Sequence, residues 1–193
     1  MEENIRTIDD LNSYMLKVVR KEIPSPIYGY EDPNEENSDN DWWTDDNESY
    51  LLLILLNEIG LITFNSQDGK FEEGDIGEGR SYVTFLIEDN QKNRSHVENL
   101  KDKGFLTMIH KFQDNKFKSQ DDEIQLTRSL GRLNCDSFAY KQIYDPIFQY
   151  LDYMKESVKQ ILINDVILVT IVDNEWRRSA THLFSDIYIN FNS

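Results

Sequence analysis

The sequence predicts a single α+β domain, with a mixed, mainly antiparallel sheet of about five strands and three main helices packed on it. Three observations lead there. Apolar residues recur at helical spacing over residues 8–21, 46–59 and 146–162. Between them lie short runs rich in Val, Ile, Thr, Tyr and Phe that alternate in side-chain character, as half-buried strands do. The chain has 193 residues, 39% hydrophobic and 12% aromatic, which is the length and composition of one domain with one core of ordinary size.

The elements follow in order. Thr7 and Asp10 are placed to cap a first helix, in which Ile8, Leu11, Tyr14, Met15, Val18 and Val19 share a face. It ends before Pro24 and Pro26, because the residue preceding a proline avoids helical dihedrals. Ile23 to Thr44 reads as extended or irregular, with Tyr28, Tyr30, Trp42 and Trp43 as its large apolar groups. Asp45 and Glu48 have capping-box spacing. Tyr50 to Leu56 is apolar on every side, which predicts a helix buried on most faces. Gly60 suits the left-handed residue that ends a helix.

Leu61 to Ser66 reads as a strand, Ser66-Gln67-Asp68-Gly69 as a turn, and Ser81 to Ile87 as the antiparallel partner strand. Residues 67–80 then form a glycine-rich acidic connector, and loops of that length in compact domains are often functional or disordered. Ser95 and Glu98 repeat the capping-box spacing, so a short helix is expected to run to Lys103 and stop at Gly104. Phe105 to Phe112 and Glu123 to Leu130 read as the third and fourth strands, the latter with Ile124, Leu126 and Arg128 on one face. Asp145-Pro146 opens a long amphipathic helix carrying Phe148, Leu151, Met154, Val158, Ile161 and Leu162. Asp165 to Asp173 is a continuous β-forming run of the kind covered on both faces. A short last helix over Trp176 to Phe184 and an edge strand over Asp186 to Phe191 complete the expectation.

Charge is the most lopsided property. The chain has 36 acids and 20 Lys or Arg, a formal net charge of −16 at pH 7. Between Lys21 and Lys70 there are twelve acids and no Lys, Arg or His, which leaves 24 acids against 20 bases elsewhere. The protein is thus a nearly balanced domain with one strongly negative segment, including an acidic loop at 31–45. Binding to nucleic-acid phosphates or anionic membranes is disfavoured, since both need clustered Lys and Arg. A basic protein partner is favoured by long-range steering. The partner-binding candidates are Asp39, Asp41, Trp42, Trp43 and Asp45. A solvated acidic loop that aids solubility is the plainer alternative.

Cys135 is the only cysteine, so no intrachain disulfide forms, which fits a reducing compartment. Glu2, Glu3, Asp9 and Asp10 argue against a signal or transit peptide. The longest apolar runs fall well short of the ~18 residues a membrane span needs. A cytoplasmic protein is expected.

The segment from Asn57 to Gly69 resembles a pattern in small proteins of unassigned function from large DNA viruses, phages and actinobacteria. That pattern runs Asn, two residues, Gly, two apolar residues, Thr, two residues, Ser-Gln-Pro-Gly. Here it reads Asn57, Gly60, Thr63, Ser66-Gln67-Asp68-Gly69. The family follows with a segment like Arg80-Ser81-Tyr82-Val83, and near its end with one like Val172-Asp173-Asn174-Glu175-Trp176-Arg177-Arg178. Asp68 stands where the family has proline, and Arg177 where it usually has glycine. The resemblance implies a shared fold, a site around Ser66-Gln67 and, for a viral protein, a role in countering host defence. It implies no activity.

The ligand-binding candidates are Thr63, Ser66, Gln67, Gly69, Arg80, Tyr82, Asp173 and Trp176. A Ser-Gln pair at a strand end offers a hydroxyl, an amide and backbone N–H groups. Arg80 adds a two-pronged donor for a carboxylate or phosphate, and Asp173 ends a central-looking strand. Purely as structure, the same residues close a turn, pair loop acids and cap a helix. No catalytic constellation stands out. Gly74-Asp75-Ile76-Gly77-Glu78-Gly79 lacks the lysine and spacing of a phosphate loop. His96, His110 and His182 lack zinc-ligand spacing, and Ser66 is not in a nucleophile elbow. No cofactor and no metal are expected. A mimic of nucleic acid, with carboxylates spaced like phosphates, is a third reading of the acids.

Overall fold

The computed structural model describes residues 5–20, 22–23, 48–67, 69, 77–111, 124–129, 137–138 and 156–193. These form one α+β domain, with helices α1 (Ile8–Val19), α2 (Glu48–Glu58), α3 (Gln91–Asp102), α4 (Glu156–Asn164) and α5 (Ala180–Phe191). The strands are β1 (Ile62–Gln67), β2 (Gly77–Glu88), β3 (Leu106–His110), β4 (Gln125–Ser129), β5 (Ser137–Phe138) and β6 (Val166–Trp176).

The sheet runs in the order β3-β6-β2-β4-β5, with β1 also paired to β2. Every ladder among the described residues is antiparallel, so the sheet is simpler than the mixed one expected. β2 and β6 form its spine, in register from Glu88 opposite Val166 to Tyr82 opposite Val172.

Alternation along these two strands sorts side chains into two layers. Tyr82, Leu86, Leu168 and Val172 face Leu11 and Met15 of α1 and Val158, Ile161 and Leu162 of α4. Val83, Phe85, Ile87, Ile167, Val169 and Ile171 face Leu53 and Leu56 of α2, Val97 and Leu100 of α3, and Leu183, Phe184 and Ile187 of α5. The expected two-sided cover of the Asp165–Asp173 run is therefore present.

Local signals explain several boundaries. Thr7 Oγ1 accepts from the Asp10 N–H at 3.1 Å, and the Asp10 carboxylate accepts from the Thr7 N–H at 3.0 Å. This is the expected cap of α1. These amide donors, Arg6's first, hold the Asp10 carboxyl below its ordinary value. Gly60 follows α2 with φ +92°, the left-handed region glycine tolerates. α2 is apolar all round, yet Leu51 is 53% exposed while Leu53 and Leu56 are buried, so one face of this helix meets solvent.

Other expectations need correction. Residues 186–191 belong to α5 and not to an edge strand. Ala180, Leu183, Phe184 and Ile187 repeat at helical spacing and pack on the sheet, which outweighs the β preference of Ile187, Tyr188, Ile189 and Phe191. Trp176 ends β6 and does not open a helix. α3 is capped by Asn90, whose side chain accepts from the Asn93 N–H at 2.9 Å. Ser95 lies inside that helix, its hydroxyl donating to the Gln91 carbonyl at 3.0 Å. The 67–80 connector is shorter than expected, because Gly77, Glu78 and Gly79 already pair with Ser129, Arg128 and Thr127 of β4. The Asp45 cap and the start of the 146–162 helix lie outside the described residues.

Candidate functional site

The end of the sheet at the close of β6 collects the three segments singled out in the sequence. β1 brings Ser66 and Gln67 there, opposite Val83 and Tyr82. From Tyr82 to Arg80, β2 advances two residues while β6 advances four, from Val172 to Trp176. The extra residues make a bulge at Asp173–Glu175, a device that re-aims side chains. Asp173 is 1% exposed, and its Oδ1 accepts from the Glu175 N–H at 2.9 Å. Its Oδ2 finds no hydrogen bond and lies 3.6 Å from Arg178 Nε.

Beyond β6, Arg177 adopts φ +61°, and its N–H donates to the Gly79 carbonyl at 2.8 Å. This reversal brings the Arg178 carbonyl to the Ser81 hydroxyl, which donates to it. The same hydroxyl accepts from the Gly69 N–H at 3.0 Å. A Cβ on Gly69 would stand 2.7 Å from both Arg178 O and Ser81 N, so only glycine fits. Ser81 thus joins the loop after β1, the strand β2 and the turn after β6.

Arg178 continues a polar string onto α5. Its Nη1 lies 3.3 Å from Glu175 Oε1, and its Nη2 contacts His182 Nε2. The other ring nitrogen, Nδ1, lies 3.1 Å from Asp186 Oδ2. A groove open to solvent is lined by Glu48, Ser179, Thr181, His182, Ser185 and Asp186, none of them among the residues selected from sequence.

A second group occupies the face of the sheet that carries Tyr82. Directly opposed residues of an antiparallel ladder share a face, so Arg80 meets Trp176, and Glu78 meets Arg128. The guanidinium carbons of Arg80 and Arg128 stand 4.4 and 4.3 Å from the Trp176 ring centroid. Arg128 Nε donates to Glu78 at 2.7 Å. Burial, and then the charge of Arg128, pull the Arg80 guanidinium below its ordinary value, while Asp173 acts the other way.

The remaining candidates are placed as follows. Thr63 is buried, and its hydroxyl accepts from Asn57 Nδ2 at 2.6 Å while its N–H donates to Asn57 Oδ1 at 3.2 Å. It ties α2 to β1 and lines no open surface. Tyr82 is buried, its hydroxyl donates to Asn65 Oδ1 at 3.3 Å, and burial pushes its phenol up. Ser66 and Gln67, adjacent in a strand, point to opposite faces. Asp39, Asp41, Trp42, Trp43 and Asp45 lie outside the described residues.

No family model and no curated protein matches the chain.

Sequence reasoning did not select Ser81, Arg128 or Arg178 as site residues. Ser81 and Arg178 carry no recognisable signal beyond their places beside Arg80 and Trp176. Arg128 does carry one: it is in phase with Ile124 and Leu126, and a charge on the buried face of a strand demands a partner. Among the described residues, no group of three or more His, Cys, Asp or Glu is placed to hold a metal. None of their helices is long and apolar enough to cross a membrane.

Proposed function

We propose that this protein is a non-catalytic, cytoplasmic interaction protein that engages a basic partner protein through its acidic segment, Glu22 to Asp68, and the neighbouring Ser66-Gln67 turn. The observation that carries this is the run of twelve acids without one base in a chain of net charge −16. Among the described residues, Arg20 pairs with Glu58, Arg94 and Lys111 with Asp89, Arg128 with Glu78, and Arg178 with Asp173 and Glu175. Of these acids only Glu58 belongs to the segment, and a net charge of −16 remains as a source of steering. For a protein of viral origin, the partner would be a host defence protein, a reading that rests on the family resemblance alone.

Titration with polylysine in low and in high salt tests the proposal. Binding is expected to weaken steeply with salt and to weaken again when Asp39, Asp41 and Asp45 are all changed to Asn. Salt-independent binding, or no binding, overturns it.

A second reading, a small-ligand site or hydrolase near the Ser66-Gln67 turn, is favoured by the meeting of Gly69, Ser81 and Arg178 at the end of β6. Its test is a screen of small ligands for thermal stabilisation, with Ser66→Ala and Gln67→Ala as controls.

A further inference from the structure

We infer that Arg80, backed by Trp176 and Arg128, is a docking point for a carboxylate ligand. This narrows the small-ligand reading above and rests on it, but it moves the site to the opposite face of the sheet from Ser66.

Charge on this face of the sheet is unbalanced. Glu78, Arg80, Arg128 and Trp176 share one face by ladder register. Glu78 neutralises Arg128, with Nε donating at 2.7 Å and Nη2 also in contact. Arg80 has no such partner: among the described residues no carboxylate bonds it, and its Nε is buried without a hydrogen bond. Asp173 acts on it only at a distance and is already committed to Arg178. A half-buried guanidinium that has lost water and faces a second guanidinium is costly to leave unpaired.

The Trp176 ring offsets part of that cost through its negative face. A guanidinium that no carboxylate among the described residues bonds suits the two oxygens of a carboxylate ligand. On this face Glu78 offsets Arg128 and leaves Arg80, on which Asp173 also acts from the bulge, so the site has at most one positive charge to offer an anion. A phosphate dianion would overshoot it, and the field of a −16 chain opposes a dianion more than a monoanion. The carboxylate can belong to a small acid or to the end of a peptide, since Arg80 reads the same two oxygens in both.

The ring that would sense the ligand is Trp176. The chain has three tryptophans, so a Trp42→Phe, Trp43→Phe background leaves Trp176 as the sole tryptophan, excited selectively at the red edge where tyrosine does not absorb. Propionate, acetyl-alanine and inorganic phosphate are titrated into this protein at constant ionic strength. The expected result is a saturable change in emission with propionate or acetyl-alanine, and the ratio of their affinities tells a small acid from a chain end. Phosphate is expected to bind more weakly than the better of the two. Arg80→Gln, and Arg80→Lys as the variant that keeps the charge, are expected to weaken binding about tenfold or more, the loss of one charge-assisted pair. Arg177→Gln is expected to leave it unchanged. No saturable response, tighter binding of phosphate, or a response that survives in Arg80→Lys overturns the inference. A response lost in Ser66→Ala but kept in the Arg80 variants overturns it while sparing the broader ligand-site reading.

Discussion

The Gly69 amide donates to the Ser81 hydroxyl at 3.0 Å, with the backbone of the two residues too close for any side chain at 69. The hydroxyl then donates to Arg178, so one small side chain satisfies a donor and an acceptor from segments far apart in sequence. Ser81→Ala strands both groups in a buried place and is expected to cost about 1–3 kcal/mol. Gly69→Ala drives a methyl against two backbone atoms and is expected to cost a similar ~1–3 kcal/mol. Urea unfolding of each variant checks this, and a midpoint unchanged from the parent in either would remove Ser81 as the tie.

Asn57 makes a comparable tie between α2 and β1. It is fully buried, and Nδ2 donates to the Leu53 carbonyl at 2.8 Å and to Thr63 Oγ1 at 2.6 Å. Asn57→Ala leaves the Thr63 N–H without an acceptor and opens a small cavity, at an expected cost of about 2–4 kcal/mol. Thr63→Val removes only the hydroxyl and is expected to cost about 1 kcal/mol. Their effects are expected to fall short of additive, because they share a bond. A double-mutant cycle in urea measures the coupling, and strict additivity would mean the Asn57–Thr63 contact carries no energy.

These two ties show where the sequence was legible and where it was not. The α2–Gly60–β1 corner was readable because an apolar helix, a left-handed glycine and a β-forming run are all local signals. So was the antiparallel pairing of β1 with β2, and the two-sided burial of β6. The end of the molecule was not: 186–191 is built of β-preferring residues and becomes helical through Leu183, Phe184 and Ile187 packing on the sheet. Arg80 and Trp176 could be chosen by residue type, but their partner Arg128 and the bulge at Asp173–Glu175 depend on register, which composition does not encode. Ser81 is invisible for the same reason, since its value lies in what two other segments bring to it.

Arg177 holds a left-handed backbone, φ +61°, that side chains other than glycine enter at a cost. Its N–H is bonded to Gly79, and its side chain is exposed, so nothing of the packing is lost on truncation. Arg177→Gly is therefore expected to stabilise the fold by about 1 kcal/mol, the relief of strain exceeding the added freedom of the unfolded chain. Thermal unfolding gives the sign directly. A destabilised Arg177→Gly would mean that the side chain contributes more than the strain it imposes.

Two histidines, His96 buried and His110 partly buried, shape the response to acid. Burial, and then the charge of Lys92, hold His96 below its ordinary value of 6.5, with the Asn190 backbone pulling weakly the other way. Burial alone holds His110 below 6.5. Both groups are thus neutral in the folded state at pH values where the unfolded chain has begun to take up protons. Stability is complete above 6.5 and falls as the pH drops below it towards the folded-state values. Asp89, held down chiefly by its hydrogen bond from Arg94, enters only below the ordinary carboxylate value of 3.8. Urea midpoints between roughly pH 5 and 7 therefore report on the histidines. His96 packs on Phe191 with ring centroids 4.9 Å apart, and His96→Gln is expected to fold and to flatten the slope. A slope as steep in His96→Gln as in the parent would assign the acid sensitivity to His110 or to other groups.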